Sequence, residues 1–256
     1  MLIFSVFCAL LCLFSSFKIS WCRFLSPWSL PLMGVLWVSL ISILGVNWVN
    51  EGRPPFKTFY ETYILLAFSL TSAGLFAHYI SEKPLYSKAA SLLVIIVLCW
   101  ALANPDLESI VLPPALQSPW FVPHVMVYFM GYSFTLISGM LAIIGLFNKQ
   151  RNYHVWIDHT MRAAFMLLMI GICFGSLWAD EAWGTYWGWD PKESWALVSL
   201  LSVAAYCHLP KKTRHSRAGL VWTAACVSFV VFTYMGMHLL PTADMSVHLY
   251  SSTKLN

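Results

Sequence analysis

The chain has 256 residues, of which 59% are hydrophobic and only 10% charged, against roughly 25% charged in an average soluble domain. That composition excludes a water-soluble globular protein. The net charge of +4 comes from Lys and Arg scattered through short segments, not from a basic stripe or tail, so it does not point to nucleic acid.

In chain order, eight apolar runs approach the roughly 20 residues needed to cross about 30 Å of hydrocarbon. They are approximately Leu2 to Phe17, Pro27 to Val49, Tyr60 to Ile80, Ala89 to Asn104, His124 to Phe147, Met161 to Trp178, Trp195 to Leu209 and Ala218 to Leu240. The fourth and seventh are the shortest. The first follows no basic segment and precedes no small-residue cleavage pattern, so it reads as a retained helix and not a signal peptide. No repeat, low-complexity stretch or linker divides the chain. The expected fold is all-α, a polytopic membrane helix bundle of about eight transmembrane helices forming one integral membrane domain over residues 1–256, with a Trp-rich loop on its outer face.

With eight spans both termini share a side, and the distribution of basic residues chooses it. Segments following odd-numbered spans hold 11 of the 15 Lys and Arg residues, whereas the opposite face holds nine of the 11 acids. The basic face is therefore assigned to the cytoplasm and the acidic one to the outer, periplasm-like or lumenal side. Three outer segments follow: Ala103 to Pro123, Ala179 to Ser194 and Pro241 to Asn256. The seven cysteines, Cys8, Cys12, Cys22, Cys99, Cys173, Cys207 and Cys226, occur singly, with no CxxC pair and no CxxCH heme-attachment site. None falls in an outer segment, so thiol chemistry there belongs to partners.

The second outer segment is the most informative. It reads Trp183-Gly184-Thr185-Tyr186-Trp187-Gly188-Trp189-Asp190-Pro191-Lys192-Glu193 and is followed by Trp195. An interfacial aromatic belt spreads its indoles over many helix ends. Here they are concentrated in one loop and interleaved with glycine. Indole faces stack on a flat apolar macrocycle, Gly184 and Gly188 let backbone approach it closely, and Lys192 with the indole N–H groups suits anionic propionates. Histidines supply the iron ligands. His124 opens the fifth span and His248 lies in the outer tail, on the same face as the Trp segment, so the two imidazoles can close both axial positions of a heme resting there. His238, ending the last span, is an alternative to His248. Near the opposite face His208 ends the seventh span and His78 ends the third. An ionisable group at that depth is costly and often functional, and His208 is the stronger ligand candidate of the two. No general acid or base can be named from the sequence; Asp190 and Glu193 are candidates only.

On these residues the chain resembles the tryptophan-rich heme-handling family of cytochrome c assembly proteins, specifically its CcsA (ResC) branch. The likeness runs from about Pro54 to Tyr250. It rests on Pro54-Pro55-Phe56 with Tyr60-Glu61, His124 ahead of a span, WGTYWGWDPKE, Tyr206-Cys207-His208 at a span end, and the final His248-Leu249-Tyr250. The WDPKE ending favours this branch over the heme chaperone of the other bacterial pathway, which typically continues WDxR, and over its large ligase relative, WDPxEN. The resemblance implies that heme b is held transiently between His124 and His248 and joined there to the CxxCH segment of apocytochrome c. It also implies that His208 serves within the membrane alongside a second protein, CcsB (ResB), and that separate thiol reductants are needed. The location it implies is a bacterial plasma membrane or a plastid thylakoid membrane. Two other readings stand beside it: a heme exporter or chaperone without ligase activity, and a membrane redox subunit with His78 and His208 as fixed b-heme ligands.

Overall fold

The computed structural model describes residues 2–15, 29–105, 113–148 and 153–236. Every regular element among them is helical, as composition requires: in hydrocarbon only a helix or a closed barrel satisfies its own peptide groups. The helices are α1 (Leu2–Ser15), α2 (Ser29–Glu51), α3 (Phe59–Ser81), α4 (Pro84–Ala103), α5 (Phe121–Phe147), α6 (His154–Trp183), α7 (Pro191–His208), the single turn α8 (Lys211–Arg214) and α9 (Arg217–Met235), with a 3₁₀ turn at Pro114–Gln117. A helix stands at each of the eight expected positions. Six of them, α2 to α6 and α9, are long and apolar enough to cross a membrane. α7 opens on Pro191-Lys192-Glu193-Ser194, which shortens its apolar part, and α1 has 14 described residues.

The largest departure from expectation is α6. It begins at His154, not Met161, and runs 30 residues to Trp183, about 45 Å at 1.5 Å per residue. Asp180 and Glu181 are therefore helical, and the expected outer loop contracts to residues 184–190.

The chain divides into two compact units, residues 1–111 and 112–256. In the first, α3 is the most enclosed helix, buried on all sides from Glu61 to Thr71. It packs along α4 and against α2, while α1 packs on α2 and α4. Close approach uses small residues, as membrane helices do: a side chain at Gly74 would collide with Ala90 of α4. In the second unit α5 is central and packs on α6 and α9, and α7 packs on α9 and α6. Gly131 faces Leu168, and Gly139 faces Val227. Two buried serines on α5 are satisfied by bonding back along their own helix: Ser133 donates to the Phe129 carbonyl at 2.8 Å and Ser138 to that of Phe134 at 2.7 Å.

The turn between α2 and α3 is organised by charge. Thr58 caps α3, and Glu61 closes a capping box with it. One Glu61 oxygen also accepts from the Lys57 and Thr58 backbone N–H groups at 2.8 and 3.0 Å. The Arg53 guanidinium grips the same carboxylate at 2.9 and 3.2 Å, and both residues are buried. Burial and the nearby Arg53 push the Lys57 ammonium below the ordinary lysine range, with Glu61 pulling it back.

Breaking this pair from one side leaves an uncompensated buried charge, which costs about 3–5 kcal/mol. Arg53→Met and Glu61→Gln are each expected to lose stability of that order in mixed-micelle denaturation. The double variant is expected to lose less than the sum, because each change removes the charge that the other would strand.

Candidate functional site

The Trp-rich loop is a helix stop followed by a helix start. α6 ends because Gly184 adopts φ +75°, a left-handed conformation that glycine takes without penalty, and its N–H returns to the Asp180 carbonyl at 2.8 Å. α7 starts on Asp190, whose carboxylate accepts from the Lys192 N–H at 2.7 Å, with Pro191 in the first turn and Glu193 completing a capping box. Glu193 Oε2 accepts from Asp190 N–H at 3.2 Å and also from Gly188 N–H at 2.9 Å. The sequence Asp-Pro-Lys-Glu is thus first a helix cap. Both carboxylates are engaged in capping, and Asp190 is buried.

Between stop and start the loop displays its rings. Tyr186 and Trp189 are 58% and 70% exposed. Trp189 is held at φ +56°, a region where a non-glycine residue is strained by sterics. Trp187 packs edge-on to Trp189 at 5.9 Å, and its Nε1 is buried without a hydrogen-bond partner. An orphaned buried donor is expensive, and an anionic acceptor such as a propionate would satisfy it. Lys192 stands at the loop's edge, ahead of the apolar part of α7. Burial lowers its ammonium to about 8, while Asp190 acts in the opposite direction.

His124 lies one turn into α5 and is seated against α6. Its Nδ1 lies 2.8 Å from the Gly171 carbonyl oxygen. A carbonyl only accepts, so Nδ1 carries the proton and the neutral ring bears its lone pair on Nε2. Ring contacts to Tyr128 at 5.1 Å and to Trp178 at 5.5 Å, the latter stacked, fix the plane. Trp178 is the hub behind it: buried, T-shaped to Trp183 at 4.9 Å, tilted against Phe121 at 5.3 Å, and donating from Nε1 to the Ala115 carbonyl at 2.7 Å. Ser118 donates to Glu181 at 2.6 Å, so the segment before α5 is tied to the last turns of α6.

The structure therefore joins His124, Trp178 and Trp183 in one aromatic group at the root of the loop, and pairs Trp187 with Trp189 within it. Trp195 is held elsewhere: its ring packs on Phe232 of α9 at 4.3 Å and its carbonyl accepts from Thr233 at 2.9 Å. His208 is exposed at the far end of α7, roughly 24 Å from Lys192 by helical rise. Its Nδ1 lies 2.8 Å from the Ala204 carbonyl, again leaving the neutral lone pair on Nε2. Two residues earlier, the Tyr206 hydroxyl donates to Asp158 at 2.7 Å, and Asp158 also holds Arg214 at 2.8 Å and His215 at 2.9 Å, anchoring that helix end. His78 Nδ1 lies 3.0 Å from Ser87 Oγ, whose proton goes to the Pro84 carbonyl, so it too presents Nε2. His248 and His238 lie outside the described residues. Among the described residues no three His, Cys, Asp or Glu side chains gather as a metal site.

Sequence reading passed over the seat of His124: Gly171, Gly175 and Tyr128. A signal was available. Gly171 and Gly175 form a small-xxx-small pair on one face of α6, and His124 and Tyr128 share the same spacing of four on α5, which puts them on one face.

Comparison with known proteins adds an independent line. The family model "Cytochrome C assembly protein" matches residues 56–243. The chain is 30% identical over 246 residues to the cytochrome c biogenesis protein CcsA of Guillardia theta, covering 79% of each chain. It is 31% identical over 250 residues to CcsA of Synechococcus sp. (strain RCC307), covering 80% of this chain and 78% of that one. Among solved structures it is similar to the cytochrome c heme lyase CcmF, with a TM-score of 0.60 and 17% identity over 95% of this chain. The chain spans 46% of that protein's length, and the likeness is one of fold.

The capping arrangement yields a direct expectation. Removing an N-cap side chain costs about 1 kcal/mol, so Asp190→Ala is expected to speed amide exchange across residues 184–195 several-fold, measured by hydrogen–deuterium exchange. Asp190→Ser, which still caps, is expected to remain near the native rate.

Proposed function

The chain belongs to the cytochrome c assembly protein family, and from that premise we propose that it binds heme b at the Trp-rich loop and presents it for thioether formation with apocytochrome c. The observation that carries this reading is the seat of His124. An imidazole tied through Nδ1 to a backbone carbonyl, with its lone pair on Nε2 and its plane fixed by Trp178, is arranged as metal-binding histidines are. Trp178 in turn packs on Trp183, the last residue of α6 before the loop.

In this reading His124 supplies one axial ligand and His248 the other, with His238 as the alternative. Trp183, Tyr186, Trp187 and Trp189 offer faces for the macrocycle, and Trp187 N–H and Lys192 take the propionates. The reaction is an addition: each cysteine S–H of CxxCH adds across a heme vinyl C=C, the sulfur bonding to one carbon and the proton going to the other, with no net oxidation. The protein's share is positioning. Asp190 and Glu193 hold the loop's shape by capping α7.

The charge distribution supports a periplasmic or lumenal position for the Trp-rich loop, in a bacterial plasma membrane or thylakoid. Thiols for the reaction come from apocytochrome c, kept reduced by separate thiol reductants. His208, at the other end of α7, is the ligand for heme arriving from the cytoplasmic side, and a CcsB/ResB-like membrane protein is the partner that completes that site.

The test is the heme absorption spectrum of the chain purified alone and co-expressed with that partner. Native protein is expected to carry bis-histidine heme. His124→Ala and His248→Ala are expected to lose it and to regain it on addition of imidazole. Heme unaffected by those two changes but removed by His78→Ala and His208→Ala would replace this reading with a fixed redox subunit.

Lys192 adds a pH signature. Its ammonium, lowered to about 8, is charged at neutral pH and largely neutral one unit above that value. Heme affinity is therefore expected to fall as pH rises from 7 to 9. In Lys192→Met, affinity is expected to be lower throughout and flat over that interval, as titration of heme into the apoprotein would report.

A further inference from the structure

The α5–α6 contact contains an interlock that composition does not demand. The two helices run antiparallel, and residues four apart on one meet residues four apart on the other: His124 lies against Gly175, and Tyr128 against Gly171. A methyl group at Gly175 would stand 2.7 Å from His124 Cε1 and 2.8 Å from Nδ1, but 3.6 Å from Nε2. Only hydrogen at this position admits the ring. The ring has little room to retreat, since Nδ1 is held by the Gly171 carbonyl at 2.8 Å and Trp178 and Tyr128 lie 5.5 and 5.1 Å from its centroid. A side chain at Gly171 would likewise collide with the Tyr128 ring, which is itself buried. The notch in α6 thus takes the Nδ1–Cε1 edge of His124, and Nε2 is the ring nitrogen farther from the position a Cβ would hold at Gly175.

We propose that Gly175, together with the carbonyl of Gly171, is a positioning element that makes His124 an Nε2 ligand of one tautomer and one orientation. The inference rests on the heme-binding reading above and deepens it. Gly175 does not touch the macrocycle in this account; it acts through His124. The carbonyl also acts on ligand strength, because an imidazole that donates through Nδ1 is a better electron donor at Nε2.

Two experiments test this. In the first, the side chain is removed by His124→Gly and small ligands are offered to the heme-loaded protein. Imidazole, which has an N–H to give the Gly171 carbonyl and fits the notch, is expected to restore the native low-spin spectrum. 1-Methylimidazole has no such N–H and adds a methyl group where there is no space. It is expected to be weaker by about 10–100-fold, the usual effect of losing an outer-shell partner. Equal restoration by both ligands would overturn the proposal.

In the second, Gly175→Ala is expected to lower heme affinity by about 10–100-fold in a protein that still folds, and imidazole, denied the same space, is expected to recover little of the loss. Combined with His124→Gly it should cost nothing further, because both changes act through one group. The comparison is Gly139→Ala, which crowds Val227 between α5 and α9 and should reduce stability without lowering the heme affinity of the folded protein. If Gly175→Ala behaves like Gly139→Ala, the glycine is packing alone and the proposal fails. Should Gly175→Ala not accumulate, the two-ligand comparison decides by itself. An unchanged heme spectrum in His124→Gly would instead show that the heme-binding reading is wrong, a result separable from equal restoration by the two ligands.

Discussion

A peptide group in hydrocarbon has no water to turn to, and leaving it unpaired costs several kcal/mol. In this chain that constraint decides where chemistry is placed. Backbone that departs from the helix is confined to helix ends, and a site needing rings at irregular angles must be built where one helix stops and the next begins. The loop at 184–190 meets the requirement with few residues. Gly184 closes α6 by a left-handed turn, and Asp190 and Glu193 absorb the first N–H groups of α7 and one from Gly188. With the ends secured, the strain of Trp189 at φ +56° can be carried by a segment too short to relax it.

Charge is handled by the same logic. Arg53 and Glu61 are buried only as a pair that also serves as a helix cap. Asp158 is enclosed by Arg214, His215 and Tyr206, and that group clamps the end of α7 near His208. The exceptions to full satisfaction are therefore informative. Trp187 Nε1 is a buried donor without an acceptor, located in the segment that the proposed function assigns to an anionic macrocycle. The buried Tyr128 hydroxyl, whose ring lies against His124, is another, whereas buried Ser133, Ser138, Thr160 and Thr223 find acceptors.

Much of the fold was legible because the forces that build it act on runs of residues. Eight apolar stretches became eight helices, since length and hydropathy suffice to specify a helix in lipid. Boundaries were less legible. The 3₁₀ turn at Pro114–Gln117 and the continuation of α6 through Asp180 and Glu181 go with individual hydrogen bonds, such as Ser118 to Glu181 across 63 residues of sequence, that hydropathy does not register. At the site, the density of Trp and Gly marked the loop, and the position of His124 at the head of a span marked the histidine. The capping role of Asp-Pro-Lys-Glu was readable from its pattern but was overshadowed by the reading of its carboxylates as acid–base groups. Gly171 and Gly175 were hidden for a different reason: a glycine pair in a membrane helix announces close packing without saying which ring fills the notch.

The distribution of histidines suggests why the site is divided along α7. Lys192 stands at its first turn and His208 at its last, and each candidate ligand among the described residues has Nδ1 committed and its neutral lone pair on Nε2. The seats differ in stiffness. His124 is wedged between helices by glycine and stacked by Trp178. His208 is exposed and held by a bond to its own helix, four residues back. A ligand that must receive a substrate from elsewhere benefits from access, whereas one that must hold a vinyl edge against an incoming thiol benefits from a fixed plane. In the proposed function these two tasks fall to His124 at the head of α5 and His208 at the end of α7. The rigid seat lies beside the loop of indoles, where bond formation demands orientation.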